Sequence, residues 1–302
     1  GFEAIEMSQG LESSGRERLD SIKGWISLQQ EGSLDGDANI LSKAMNPSGV
    51  KLTQGDLLRI YLAYFTDVAE HALKEHVTEP RYVKRRYARP CWPDSKAQWG
   101  NNLMRRMLAE AQVLADTFSG YWSGGINVAE LKAAVEQVKK LEKRPDYLIG
   151  EGVPEPVAVA AGAIADSENL RDAFMVVDVG AGTTDFGLFI STRRSEEDEP
   201  RVFQNSKSIQ GLMQAGDKVD GLLRGFIAQK ESIDPSDNSG KLILADLSRR
   251  IRSLKEVLFK TGTLEYTLSD DTVGKIMLDD FLADPKVIRF GQAVEDGFKK
   301  AL

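Results

Sequence analysis

Cysteine is nearly absent from this sequence: Cys91 is the single one in 302 residues. One thiol cannot close an internal disulfide, so a disulfide-stapled secreted scaffold is excluded and a cytoplasmic location is expected. A lone cysteine usually fills space as a small apolar side chain, and Cys91 is expected to be buried in that way. Histidine is almost as scarce. His71 and His76 lie five residues apart where a helical metal pair needs four, so they are expected at a helix surface or in helix packing. No apolar run reaches the roughly 18 to 20 residues of a membrane-spanning helix, and no secretory leader opens the chain, so no membrane partner is expected. A strong charge of either sign is also lacking: 39 bases against 46 acids give a net charge of -7. That balance argues against nucleic acid as a partner, and with 41% hydrophobic residues it argues against disorder. There is no internal repeat, and the chain is long enough that two lobes are expected.

Residues 1–50 are rich in Ser, Gly and acids and are expected to be irregular or partly ordered. From Thr53 the pattern changes. Thr53 and Asp56 have capping-box spacing, and Leu58, Tyr61, Phe65, Val68 and Ala72 recur at helical intervals as the expected core face of an amphipathic helix. "RYVKRRYARP" reads as a strand leading to a loop. Leu103, Met107, Ala111 and Leu114 mark a second helix, and Asn127 with Glu130 caps a third bearing Leu131, Val135, Val138 and Leu141. "PDYLIGEGVPEP" suggests a short strand and a glycine turn before the small-residue run "VAVAAGAIAD". "SEEDEP" reads as a charged loop, and residues 242–261, with Leu244, Leu247, Ile251, Leu254 and Leu258, as a helix followed by the strand "TGTLEYTLSD".

The segment "FMVVDVGAGTTDFGLFI", residues 174–190, sets a Gly-rich acidic turn between two apolar runs. The dinucleotide fingerprint fails here, because Asp185 stands where a third small residue should and strand follows where a helix should open. No glycine is followed by the Lys-Ser or Lys-Thr of a Walker loop. What remains is strand, turn, strand, with Asp178 ending the first and Asp185 starting the second. Gly180 and Gly182 would let the backbone approach a ligand and aim peptide N–H groups at an anion. Two carboxylates beside phosphate repel it unless a divalent cation or its waters intervene, so the residues jointly point to a metal-nucleotide. Thr183 and Thr184 add hydroxyls for a terminal phosphate or an attacking water.

This turn resembles the second phosphate motif of the actin-like ATPase superfamily, Asp-x-Gly-x-Gly-Thr-x-Asp, filled by Asp178, Gly180, Gly182, Thr183 and Asp185; Ala181 replaces a glycine common in the 70-kilodalton heat-shock chaperones. "VPEPVAVAAGAIAD" is similar to the chaperones' Glu-Pro segment, whose acid, here Glu155, lies near the metal waters. "AGDKVDGLLRGFIAQ" resembles their Gly-Gly-Glu-Asp-Phe-Asp helix start at Gly216, Asp217 and Asp220, with Ala215 in place of the first glycine. "LSRRIRSLKEVLFKTGTLEYTL" is similar to the helix whose acid contacts the ribose and whose later base lies on the adenine, which carries over Glu256 and Lys260; Phe259 departs from a usual lysine. The same two residues also have the spacing of an ordinary i to i+4 ion pair. "VKLTQGDLLRIYLAYFTDVAEHALKEH" and "YARPCWPD" match more weakly.

The resemblance runs from about residue 50 to the end. It implies an α/β, ribonuclease-H-like fold: residues 51–168 as the remainder of a first lobe, residues 169–302 as a second, with an α+β subdomain inserted from about 205. It implies ATP or ADP with magnesium, Asp178 and Asp185 at the metal and its waters, and Asp178, Thr183, Asp185 and Glu155 in hydrolysis. Gly180, Ala181, Gly182, Thr184, Gly216, Asp217, Asp220, Glu256 and Lys260 would bind nucleotide. The first phosphate loop and the adenosine loop have no counterpart, and the chain opens on Gly1, so the middle of a longer, on its own weakly binding ATPase domain is expected. A chaperone-like switch with a protein client or co-chaperone, an actin-like filament protein, and a nucleotide-sensing regulator without turnover all remain open.

Overall fold

Thr53 starts the first long helix as its spacing predicts. Its Oγ1 accepts from the Asp56 N–H at 3.1 Å, while the Asp56 carboxylate accepts from the Thr53 N–H at 3.0 Å. The computed structural model describes residues 22–30, 33–92, 94–165, 169–195, 199 and 201–302. These form a mixed α/β chain of two compact units, 1–154 and 155–302. Among the described residues, no helix is long and apolar enough to cross a membrane.

The first unit is built on helices. Within residues 1–50, the stretch Ile22–Leu28 is a helix (α1) and not irregular, because Ile26 and Leu34 bury against Leu58, Trp92, Leu103 and Met107. Residues 1–21 of that expected segment lie outside the described residues. Helices Gln54–Leu73 (α2), Asp94–Thr117 (α3) and Val128–Lys139 (α4) pack together. In α3, Leu103, Met107, Ala111 and Leu114 are all buried, as their spacing predicts. Asn127 caps α4 by accepting from the N–H groups of Ala129 and Glu130, above buried Leu131, Val135 and Val138.

In α2 the buried face differs from the expected one. Tyr61, Phe65 and Val68 are exposed, and Leu58, Arg59, Ala63, Thr66 and Asp67 face inward. The cause is ionic. Arg59, fully buried, donates to Glu110 at 2.7 Å and to both carboxylate oxygens of Asp35, at 2.9 and 3.2 Å. Arg144 reaches the other oxygen of Glu110 at 3.0 Å. Burial alone would lower the Arg59 pKa, but the Glu110 and Asp35 carboxylates raise it above its ordinary value. Such partners make the burial of a charge tolerable, and removing one of them would leave that charge uncompensated.

The expected strand in "RYVKRRYARP" is reduced to short pieces: Pro80–Tyr82 is a 3₁₀ turn, Arg85 makes an isolated parallel bridge with Ile149, and Ala88–Arg89 (β1) pairs in parallel with Val153–Pro154 (β2). Arg85 bonds Glu70 and Gln112, which fixes that stretch by side chains. "PDYLIG" likewise forms a 3₁₀ turn, Asp146–Leu148, before an isolated bridge at Ile149. Cys91 is half-buried. His71 is about half exposed, its Nδ1 2.8 Å from the Asp67 carbonyl oxygen.

The second unit opens with helix Glu155–Ala165 (α5), then the antiparallel strands Arg171–Val179 (β3) and Thr184–Thr192 (β4). Arg201–Gln204 (β5) and Gln210–Leu212 (β6) both pair with β4. Part of "SEEDEP", between β4 and β5, lies outside the described residues. Side chains alternate between sheet faces, so the register groups Phe174 with Phe189, Val176 with Gly187 and Asp178 with Asp185 on one face. Ala160 and Ile164 of α5 cover that face against Val176 and Phe189. The opposite face bears Phe186, whose ring meets Phe298 edge-on at 6.4 Å on helix Pro285–Ala301 (α9). The sheet is therefore covered by a helix on each side.

A second core joins helices Gly216–Lys230 (α6) and Asn238–Thr261 (α7) to the hairpin Thr263–Thr267 (β7) and Val273–Met277 (β8) and the short helix Leu278–Leu282 (α8). Leu223, Ile227, Leu247, Leu258, Leu264, Ile276 and Phe281 are buried together there. Asp237 caps α7 at its start, and Gly262, at φ 76°, ends it in the left-handed conformation that a residue without Cβ adopts at little cost.

Candidate functional site

The turn between β3 and β4 is short and closed: the Gly180 N–H donates to the Thr183 carbonyl at 2.9 Å. The positive-φ glycines of the described residues are Gly49, Gly120, Gly125 and Gly262, so neither Gly180 nor Gly182 is required by a left-handed backbone. A Cβ on Gly180 would stand 3.3 Å from the Thr183 oxygen, so crowding within the turn favours glycine there.

Asp178 and Asp185 are direct cross-strand partners at the base of this turn, with side chains on the same sheet face. Opposed like charges at such a position destabilise the pair, by about 0.2–1 kcal/mol in typical cases. Asp178 is half-buried and Asp185 only 1% exposed. Asp185 Oδ2 accepts from the Thr183 hydroxyl at 2.8 Å, and the buried Thr184 hydroxyl donates to the Gln214 carbonyl at 2.6 Å. Glu155 opens α5, the helix that covers the face carrying both aspartates. Among the described residues, no group of three or more His, Cys, Asp or Glu is gathered closely enough to hold a metal directly.

The first turn of α6 docks onto this hairpin turn although thirty-odd residues separate them. Gly216 N–H donates to the Gly180 carbonyl at 3.2 Å and Asp217 N–H to that of Ala181 at 2.7 Å. A Cβ on Gly216 would lie 3.5 Å from Gly180 O, 3.5 Å from Lys255 Nζ and 3.6 Å from Ala181 Cα, so three segments converge on that glycine. The N–H groups of Gly216 and Asp217 are thus spent on the protein's own carbonyls.

The acids of α6 are held by α7. Asp220 pairs with Lys255 at 2.6 Å, Asp217 with Arg252 at 3.3 Å, and Lys255 also donates to the Gly216 carbonyl at 3.3 Å. Sequence reasoning passed over Lys255 and Arg252. Their signal was there, since two bases three apart on one helix match two acids three apart on another. Glu256 and Lys260, singled out instead, are both exposed and, among the described residues, form no ion pair with each other.

The site therefore brings together Asp178, Gly180, Ala181, Gly182, Thr183, Thr184 and Asp185, and joins to them Gly216, Asp217 and Asp220 with Lys255. No protein-family model matches this chain, and no curated protein is significantly similar to it.

Proposed function

We propose that the chain belongs to an ATP-binding, ATP-hydrolysing nucleotide switch with the ribonuclease-H-like fold of the actin-like ATPases, most like the nucleotide-binding domain of the 70-kilodalton heat-shock chaperones. The observation that carries the reading is the opposition of Asp178 and Asp185 at the base of a tight turn onto which the first turn of α6 is hydrogen-bonded. Two facing carboxylates suit a hydrated divalent cation held through its waters. Magnesium there would neutralise phosphate charge. Asp178 and Asp185 would orient its waters, with Glu155 contributing from α5. Thr183, oriented by Asp185, would meet the terminal phosphate, and the turn would seat the remaining phosphates. A protein client or co-chaperone in the cytoplasm would read the nucleotide state.

The test is magnesium-dependent phosphate release from ATP by the intact ATPase that the resemblance implies, measured with and without Asp178→Asn. The proposal expects turnover that drops more than tenfold in the variant; equal turnover in a folded variant overturns it. A second reading, nucleotide sensing without turnover, is favoured by one observation: Gly216 and Asp217 spend their N–H groups on Gly180 and Ala181. Saturable magnesium-dependent ATP binding without phosphate release would select it.

A further inference from the structure

We propose that a cleft between α6 and α9 binds a phosphorylated small molecule whose carbon skeleton lies on an apolar wall. The cleft holds about 270 Å³ and is lined by Gln214, Lys218, Leu222, Lys286, Arg289 and Phe290. Its charged lining is three cations and no acid. The neighbouring Asp284 carboxylate is engaged in capping α9, where it accepts from the Lys286 N–H at 2.7 Å.

These three bases gather in one concavity with no acid among its lining, whereas five other bases of the unit are neutralised by partners. Arg250 pairs with Asp246, Arg252 with Asp217, Lys255 with Asp220, Lys275 with Glu265 and Lys299 with Glu295. Among the described residues, Lys218, Lys286 and Arg289 make no ion pair. Like charges around one concavity repel one another and raise the local positive potential. Lys218 and Lys286 also stand in the first turns of their helices, where the helix dipole favours acids. Fold stability gives no reason for this gathering, and a bound dianion does.

A phosphate monoester fits the chemistry. The Arg289 fork can take two phosphate oxygens while the lysines act as point charges. Leu222 and Phe290, both half-buried, supply the apolar wall. The volume is at the small end for ligand sites, which suits a compact phosphorylated molecule. Gln214 lines this cleft while its carbonyl holds the Thr184 hydroxyl, so the cleft and the hairpin turn share a residue.

Phenyl phosphate, titrated calorimetrically against the protein at low salt, tests the assignment. Saturable binding is expected, tighter than that of inorganic phosphate. The double variant Lys286→Gln, Arg289→Gln should weaken it at least tenfold with an unchanged melting temperature, because both side chains are exposed. Asp178→Asn should leave it unchanged, which separates this cleft from the hairpin turn. Absence of saturable binding, equal affinity for inorganic phosphate, or a loss that follows Asp178→Asn instead of the double variant overturns the proposal.

Discussion

Asp178 faces Asp185 across an antiparallel strand pair, two acids on one face where neighbouring partners are Val176 and Gly187. Strand pairing alone favours almost any other combination there. Replacing Asp178 by Asn should therefore leave stability in the absence of ligand equal or higher, by up to about 1 kcal/mol. Magnesium-dependent ATP binding should fall in the same variant. Urea denaturation beside nucleotide titration checks both, and a parallel loss of stability would make the pair structural.

Glu110 is shared by Arg59 and Arg144, and it is only 1% exposed. Glu110→Gln leaves Arg59 buried with half its compensation, so a loss of about 3–5 kcal/mol is expected. All four tryptophans, Trp25, Trp92, Trp99 and Trp122, lie within the first unit, so their emission during urea unfolding reports on that unit alone.

Asp56 gives that unit a defined acid limb. Burial pushes its carboxyl up, but the Lys132 and Lys139 ammonium groups and the Thr53 N–H outweigh this and hold it at about 2, below its ordinary 3.8. A folded pKa below the unfolded one contributes stability that is complete above the unfolded value and lost as pH falls through the folded value. The contribution is about 2 kcal/mol. Wild type and Asp56→Asn should therefore differ most above pH 4 and converge towards pH 2, as read from tryptophan-monitored urea midpoints.

Two glycines of the second unit should respond differently to alanine. A Cβ on Gly187 would stand 2.8 Å from Phe189 Cε2 and 2.9 Å from Ile209 Cδ1, so Gly187→Ala is expected to cost about 1–3 kcal/mol through overpacking. At Gly216 the nearest atoms are at 3.5 Å, an ordinary contact, so Gly216→Ala should melt near wild type. Circular dichroism melts of the two variants make the comparison.

Periodicity found α3, α4 and α7 because their buried residues are apolar, and apolar spacing is visible in a local window. It misjudged the face of α2, where Tyr61, Phe65 and Val68 hold the apolar spacing but Arg59 holds the buried position. The partner that makes this burial tolerable, Glu110, is 51 residues away in sequence. The hairpin turn was legible for the converse reason: Asp178 to Asp185 form one continuous run with strand on both sides. The docking of Gly216 and Asp217 onto it is a tertiary event between backbone groups, which residue identity does not encode. Lys255 was missed because its meaning lies in its distance to Asp220, while Glu256 beside it drew notice through the resemblance of the helix sequence.

The bonds from Gly216 and Asp217 also tie the start of α6 to the hairpin turn. The 15 residues of the helix span about 22 Å. A tilt of about 10° at the turn would therefore carry the far end through about 4 Å. At that end Lys230 donates to the carbonyl of Lys275 on β8, and Leu223 and Ile227 bury α6 against α7 and the β7 and β8 hairpin, so such a tilt would move that whole layer with the helix.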